Sequence, residues 1–222
     1  PSVFARVTDL ARKEDLPVAM RLAGSREEFN FVMYGSSPFA VHTMDSKRGY
    51  VEIPPWLPTG VTPVRYALNW GAFDAPNVMV IHAVHVTDED VRKLREHDVS
   101  VCVCPRANSQ LGMGVAPLDE FLRAGLRVGL GTDSPAATDT TDMLTEMRLG
   151  MLLQRSVNTR RFLDTSTILE LATIGGARAL GLEDEIGSLE IGKRADIIAV
   201  DLSSSHQAPT GNPVSAVVNT TT

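Results

Sequence analysis

The sequence predicts an α/β fold with a parallel sheet, and three observations carry that prediction. Short apolar runs alternate four times with stretches of helical periodicity, the pattern of parallel strands joined by crossover helices. One of those runs, Leu126 to Leu130, stops abruptly at Gly131-Thr132-Asp133-Ser134-Pro135. Asp133 is thereby set at the C-terminal tip of a buried strand, where α/β barrels keep their reactive groups. A strand-end Asp also serves as a turn former or helix cap, so this run alone does not decide a role. Finally, 222 residues of 43% hydrophobic and 22% charged composition can bury an ordinary globular core. The net charge of -6 argues against a nucleic-acid partner or an anionic membrane surface.

Each element has its own warrant. Val3, Phe4, Val7, Leu10 and Ala11 fall at helical spacing, and Glu14-Asp15 with Pro17 end that helix. Pro17 to Ala23 reads as a strand, and Ser25-Arg26-Glu27-Glu28 as a capping box that starts the next helix. Residues 35–63, rich in Gly, Pro and Ser, read as a long loop with a short helix around Phe39 to Met44. A helix at Pro63 to Trp70 precedes the strand Val78 to His82. Thr87-Asp88-Glu89-Asp90 caps a helix reaching His97, and Ser100 to Cys104 is the third strand. A helix at Pro117 to Ala124 leads to the fourth strand at Leu126.

Two helical stretches follow, Asp142 to Arg155 and Ser166 to Leu180, the second closed by Gly181. Ile186 to Leu189 and Ala195 to Val200, joined by a turn at Glu190 to Lys193, read as a β-hairpin and a piece of a second, β-type unit. The tail from Val217 trails off in low complexity. Cys102 and Cys104 sit two apart on a strand and share a face. With two cysteines there is no disulfide scaffold, a reduced, cytoplasmic setting is expected, and both read as packing residues. No apolar run is long enough to span a bilayer and no signal peptide is read at the start of the chain.

His82 and Asp133 end two different strands, and imidazole and carboxylate at strand tips are the raw material of a hydrolytic metal site or of acid–base work. The bland reading of His82 is a half-buried histidine bonded to a carbonyl. His85 lies three residues on and is a candidate cap or substrate contact. Arg106 and Asn108, in Cys104-Pro105-Arg106-Ala107-Asn108, leave a strand tip where either can orient a polar substrate or satisfy the loop backbone. His42, His97 and His206 have no partner in view and read as surface residues.

Taken together, Ile81-His82-Ala83-Val84-His85, Cys104 to Asn108 and Leu130-Gly131-Thr132-Asp133 resemble the amidohydrolase superfamily, in its cytosine-deaminase, chlorohydrolase and adenosine-derivative deaminase branch. Ala172-Thr173 with Gly176 to Gly181, and Ile186 to Asp196, extend the resemblance over nearly the whole chain. It implies that residues 1–183 are strands five to eight, the C-terminal half, of a (β/α)8 TIM-type metal-dependent hydrolase barrel. Residues 184–222 then carry the hairpin segment of a composite C-terminal β-sandwich. The resemblance further implies one Zn or Fe ion, with Asp133 as its carboxylate ligand and the handler of the water's proton. His82 is then the sixth-strand histidine that polarises the substrate or the attacking water. The implied reaction is deaminase-like, a metal-activated hydroxide attacking a heterocyclic C–N carbon.

The departures point the other way. The family takes two ligands from a His-x-His on its first strand, and this sequence contains none. At the fifth strand a histidine ligand is followed three residues later by a catalytic glutamate; here those places hold Arg21 and Gly24. A guanidinium stays protonated and has no lone pair for a metal. Two expectations therefore stand. In one, the chain is the C-terminal half of a hydrolase, active on a nucleoside or heterocyclic amine once more chain or a partner supplies the missing strands. In the other, it is a non-catalytic binding or regulatory half-barrel that holds no metal. Open strand edges predict a homo-oligomer or association with a missing N-terminal half.

Overall fold

Four short apolar segments form the strands of a four-stranded parallel sheet: β1 (Val18–Leu22), β2 (Val78–His82), β3 (Ser100–Val103) and β4 (Val128–Leu130), in that order. The structure, a computed structural model, describes residues 2–40, 57–157, 162–203 and 211–221. It divides into two compact units, Pro1–Val99 and Ser100–Thr222. Each holds one parallel strand pair. In the first, Val18 is in register with Val78 and Leu22 with His82; in the second, Val101 pairs with Val128 and Val103 with Leu130.

The first unit is built from α1 (Ser2–Glu14), α2 (Arg26–Tyr34), α3 (Pro63–Asn69) and α4 (Asp88–Glu96) around its strand pair. Strand β2 alternates buried and half-buried positions, with Val78, Val80 and His82 inside. Helix α1 is tied down by its Thr8 hydroxyl, which donates to the Gly71 carbonyl at 3.0 Å, and by Arg12 Nε, which donates to the Asp74 carbonyl at 2.8 Å. The capping box expected at Thr87 is complete. Its buried Asp90 also accepts a hydrogen bond from Thr62, the N-cap of α3, so one carboxylate ties two helix starts together. The box expected at Ser25 is only half formed. Ser25 caps the Glu28 N–H, but the Glu28 carboxylate reaches past it to the strand end. Of the short helix expected near Phe39, residues 38–40 form one helical turn and the remainder lies outside the described residues.

In the second unit β3 and β4 are followed by α5 (Pro105–Gln110), α6 (Leu118–Arg123), α7 (Pro135–Thr138), α8 (Met143–Val157), α9 (Thr165–Ala172), α10 (Ile174–Leu180) and α11 (Pro213–Thr220). Three expectations are corrected here. The helix predicted over Ser166 to Leu180 breaks at Thr173, which adopts φ -123° and ψ -104°. The break lets Gly175 and Gly176 press onto β4. A Cβ on Gly175 would stand 3.0 Å from the Val128 carbonyl oxygen, and one on Gly129 would stand 2.9 Å from the Gly176 Cα. Helical periodicity carries no record of such backbone-to-backbone packing.

The second correction is the hairpin. The turn is present, with the Lys193 N–H donating to the Glu190 carbonyl and the Arg194 N–H to the Glu185 carbonyl. Its two arms form no ladder, however, and Leu189, Ile191, Ile197 and Ile198 are exposed. A two-stranded ribbon has no apolar face to settle on without further strands. The third is the tail: Pro213–Thr220 is a helix capped by Asn212, and Arg148 holds its end by donating to the Val218 and Thr221 carbonyls. Among the described residues no helix is long and apolar enough to cross a membrane.

The close approach of β4 to α10 yields a test. Gly129→Ala should destabilise the chain by about 1–3 kcal/mol, because backbone rather than a mobile side chain blocks the new methyl. Urea unfolding monitored by circular dichroism reads this directly, and an unchanged midpoint would contradict the packing.

Candidate active site

In the first unit the strands end in strained backbone. Ala23, just past β1, and His82 and Ala83, at the end of β2, all have positive φ, 53°, 79° and 46°. A non-glycine residue held there costs on the order of 1–3 kcal/mol and persists only where its surroundings enforce it. The enforcement is visible. The N–H groups of Val84 and His85 both donate to the Ala23 carbonyl at 2.9 Å, and that of Ala83 donates to the Leu22 carbonyl at 3.2 Å. The Glu28 carboxylate accepts from the N–H groups of Ala23 and Gly24, each at 2.8 Å.

These bonds turn the His82 side chain inward, where it is buried, against the face of Gly24. A Cβ at Gly24 would lie 3.5 Å from His82 Cδ2, an ordinary van der Waals distance. A Cβ would therefore be tolerated next to the imidazole, and this sequence supplies none. Arg21 is exposed on β1, one position before the buried Leu22, and His85 is half-buried. Thus Gly24 lies against His82, the backbone of His85 is tied to Ala23, and Glu28 clamps the turn between them rather than completing a capping box.

In the second unit Asp133 follows β4 with φ 57°, another left-handed non-glycine residue at a strand tip. Its loop is braced from within. The Thr138 hydroxyl lies 3.2 Å from the Thr132 and Ser134 carbonyls that flank Asp133, and the Arg106 guanidinium donates to the Thr138 carbonyl and to the Thr140 hydroxyl. Arg106 therefore joins the β3 tip to the Asp133 loop. Asn108, expected beside it, is buried on α5; its N–H donates to the Cys104 carbonyl and its carbonyl accepts from Met113.

Behind Arg106 stands Glu146 of α8, with no exposed surface. One carboxylate oxygen accepts the Arg106 N–H at 3.0 Å and the other lies 3.7 Å from Arg106 Nε. Burial pushes the Glu146 carboxyl above the usual carboxylate range, with Arg106 opposing the shift. Glu146 is not among the candidates that the sequence singles out. The available signal was its place in the stripe Glu146, Gly150, Gln154, the i, i+4, i+8 face that α8 buries.

Beneath the same loop the thiols of Cys102 and Cys104 converge on Gly131. A Cβ there would stand 2.6 Å from Cys102 Sγ and 3.5 Å from Cys104 Sγ. The two thiols hydrogen-bond to each other, which holds Cys102 below the usual thiol range and Cys104 above it.

Parallel strands alternating with helices, with His82 ending one strand and Asp133 following another, define the class of fold as α/β. The chain belongs to the amidohydrolase family, whose model matches residues 2–222. It is 36% identical over 181 residues to the 5-methylthioadenosine/S-adenosylhomocysteine deaminase of Thermoanaerobacter pseudethanolicus, an alignment covering 81% of this chain and 41% of that protein. It is 38% identical over 154 residues to the S-triazine hydrolase of Gordonia rubripertincta, covering 69% and 32%. The structure resembles an adenosine deaminase from Xanthomonas campestris with bound zinc, with a TM-score of 0.78 and 31% identity, over 97% of this chain and 44% of that one. The chain thus spans less than half the length of these relatives.

The residues present do not fit the zinc that such a relative binds. A catalytic zinc site takes three protein donors. Arg21, near the end of β1, offers a guanidinium, which has no lone pair for a metal, and Gly24 has no side chain beside His82. Among the described residues no three His, Cys, Asp or Glu side chains group as a metal site.

Two outcomes follow from this geometry. Gly131→Ala should destabilise the second unit by about 1–3 kcal/mol, since the methyl meets Cys102 sulfur; Cys102→Ala in the same chain should recover part of the loss in thermal unfolding. Glu146 adds a pH dependence. Its carboxyl is raised on folding, so its contribution is fully present below the unfolded carboxylate range and declines as pH rises through the folded value. Measured by urea unfolding from pH 4 upward, the stability of the wild type relative to Glu146→Gln should fall with increasing pH. A difference that grows in favour of the wild type would contradict this.

Proposed function

We propose that the chain is part of a protein descended from hydrolases of heterocyclic C–N bonds, and that its hydrolytic centre is degenerate. Residues 1–183 are taken as the C-terminal half of a (β/α)8 barrel and residues 184–222 as a segment of its composite β domain. The lineage is supported by the deaminase and triazine-hydrolase relatives. The loss is supported above all by Gly24, which sets no side chain beside the buried His82 where a Cβ would fit, and the guanidinium of Arg21 agrees with it. No further length of chain alters those two positions. On this reading His82 and Asp133 are the catalytic residues of the ancestral plan, and each keeps a group, an imidazole or a carboxylate, able to hydrogen-bond to the ring nitrogens or exocyclic amine of a small nucleoside or heterocyclic amine.

The test uses the purified chain supplied with zinc and 5′-methylthioadenosine, following ammonia release. The expected result is no release above the buffer blank, with Arg21→His equally silent because Gly24 still lacks an acid. Turnover by the wild-type chain would overturn the degenerate-site reading while leaving the lineage intact. Differential scanning fluorimetry with the same nucleoside tests binding separately, and an unchanged melting temperature at millimolar ligand would remove the binding role.

A further inference from the structure

The pair of thiols under the Asp133 loop has no part in the site just described. Cys102 and Cys104 are the only two cysteines of the chain. Cys102 is on β3 and half-buried; Cys104, directly after it, is buried. Both sulfurs flank one vacant point, the Cβ position that Gly131 leaves open, at 2.6 and 3.5 Å. Alternate residues of a strand share a face and lie about 6.5 Å apart between Cα atoms, the upper end of the range a disulfide tolerates. A bond closed over such a span is strained and exchanges readily, unlike a structural disulfide.

We propose that Cys102 and Cys104 form a dithiol exchange site that is oxidised to an intrachain disulfide by small disulfides of the glutathione type and reopened by small thiols. Half-buried Cys102 is the attacking group and buried Cys104 the resolving one. The Cys102 thiolate attacks one sulfur of the small disulfide and expels the other as a thiolate, leaving a mixed disulfide on Cys102. The Cys104 thiolate then attacks Cys102 sulfur, closes the intrachain bond and expels the second small thiolate. The two cysteine protons end on the two small thiols, and the two electrons given up by the pair reduce the small disulfide. Gly131 makes the approach feasible, because any side chain there would occupy the space between the sulfurs. Closing the bond pulls β3 toward its own exit beneath Gly131, two residues before Asp133, so the oxidation state is coupled to the loop that carries the carboxylate. The site is independent of whether the chain hydrolyses any substrate.

The experiment titrates the intact chain with oxidised glutathione and reads its mass and free thiols. Wild type should lose two hydrogens per chain, fall from two titratable thiols to none without a lasting glutathione adduct, and recover both with reduced glutathione. Cys104→Ser should instead accumulate the mixed disulfide on Cys102, while Cys102→Ser should react far more slowly. A stable adduct on the wild type, a covalent dimer on a non-reducing gel, or two thiols persisting at every ratio would each overturn the proposal. Phenylarsine oxide gives a readout without oxidation, since trivalent arsenic is held by two adjacent thiols. One equivalent retained by the wild type and lost in either serine variant is expected, and no retention by the wild type would count against the site.

Discussion

The strand tips hold non-glycine residues in left-handed backbone, and the candidate site depends on that constraint. Ala23, His82, Ala83 and Asp133 all have positive φ, and each resists relaxing only because neighbouring groups leave it no alternative. In the first unit the lock is the Glu28 carboxylate and the twice-used Ala23 carbonyl. In the second it is the Thr138 hydroxyl, with Arg106 and buried Glu146 behind it. Strain of this kind is stored where a side chain must be aimed, and here the aimed groups are an imidazole and a carboxylate.

The bracing of the strand tips is complete within each unit. The Glu28 clamp, the Arg106 brace and the close packing of β4 on α10 are intact. Arg21 is exposed and Gly24 fits beside His82 without crowding, so packing dictates neither side chain. On the proposed reading, stability and chemistry make separate demands on neighbouring residues, and β1 meets only the first.

Much of the fold was legible because its signals are local. The strand at Val78–His82, the capping box at Thr87 and the helix started by Pro63 each follow from spacing and cap chemistry. The break at Thr173 was not, because it serves Gly175 and Gly176 against a strand more than forty residues earlier in the chain. Nor was the open state of residues 186–200, since apolar alternation there describes a ribbon whose stability rests on other strands. At the site, His82 and Asp133 were read from their positions at strand ends. Glu146 escaped notice because a buried carboxylate is recognised by what surrounds it rather than by its place in a helix. For Arg106 the sequence leaves substrate contact and bracing of the loop backbone both open, and the structure shows its guanidinium bracing the Asp133 loop.

The central claim is that the chain keeps a hydrolase's strand-end geometry without the donors for its metal. It is tested most directly by elemental analysis of the chain purified from zinc- and iron-supplemented medium and dialysed against a weak chelator. The account predicts far less than one metal ion per chain. About one tightly held zinc or iron per chain would contradict it.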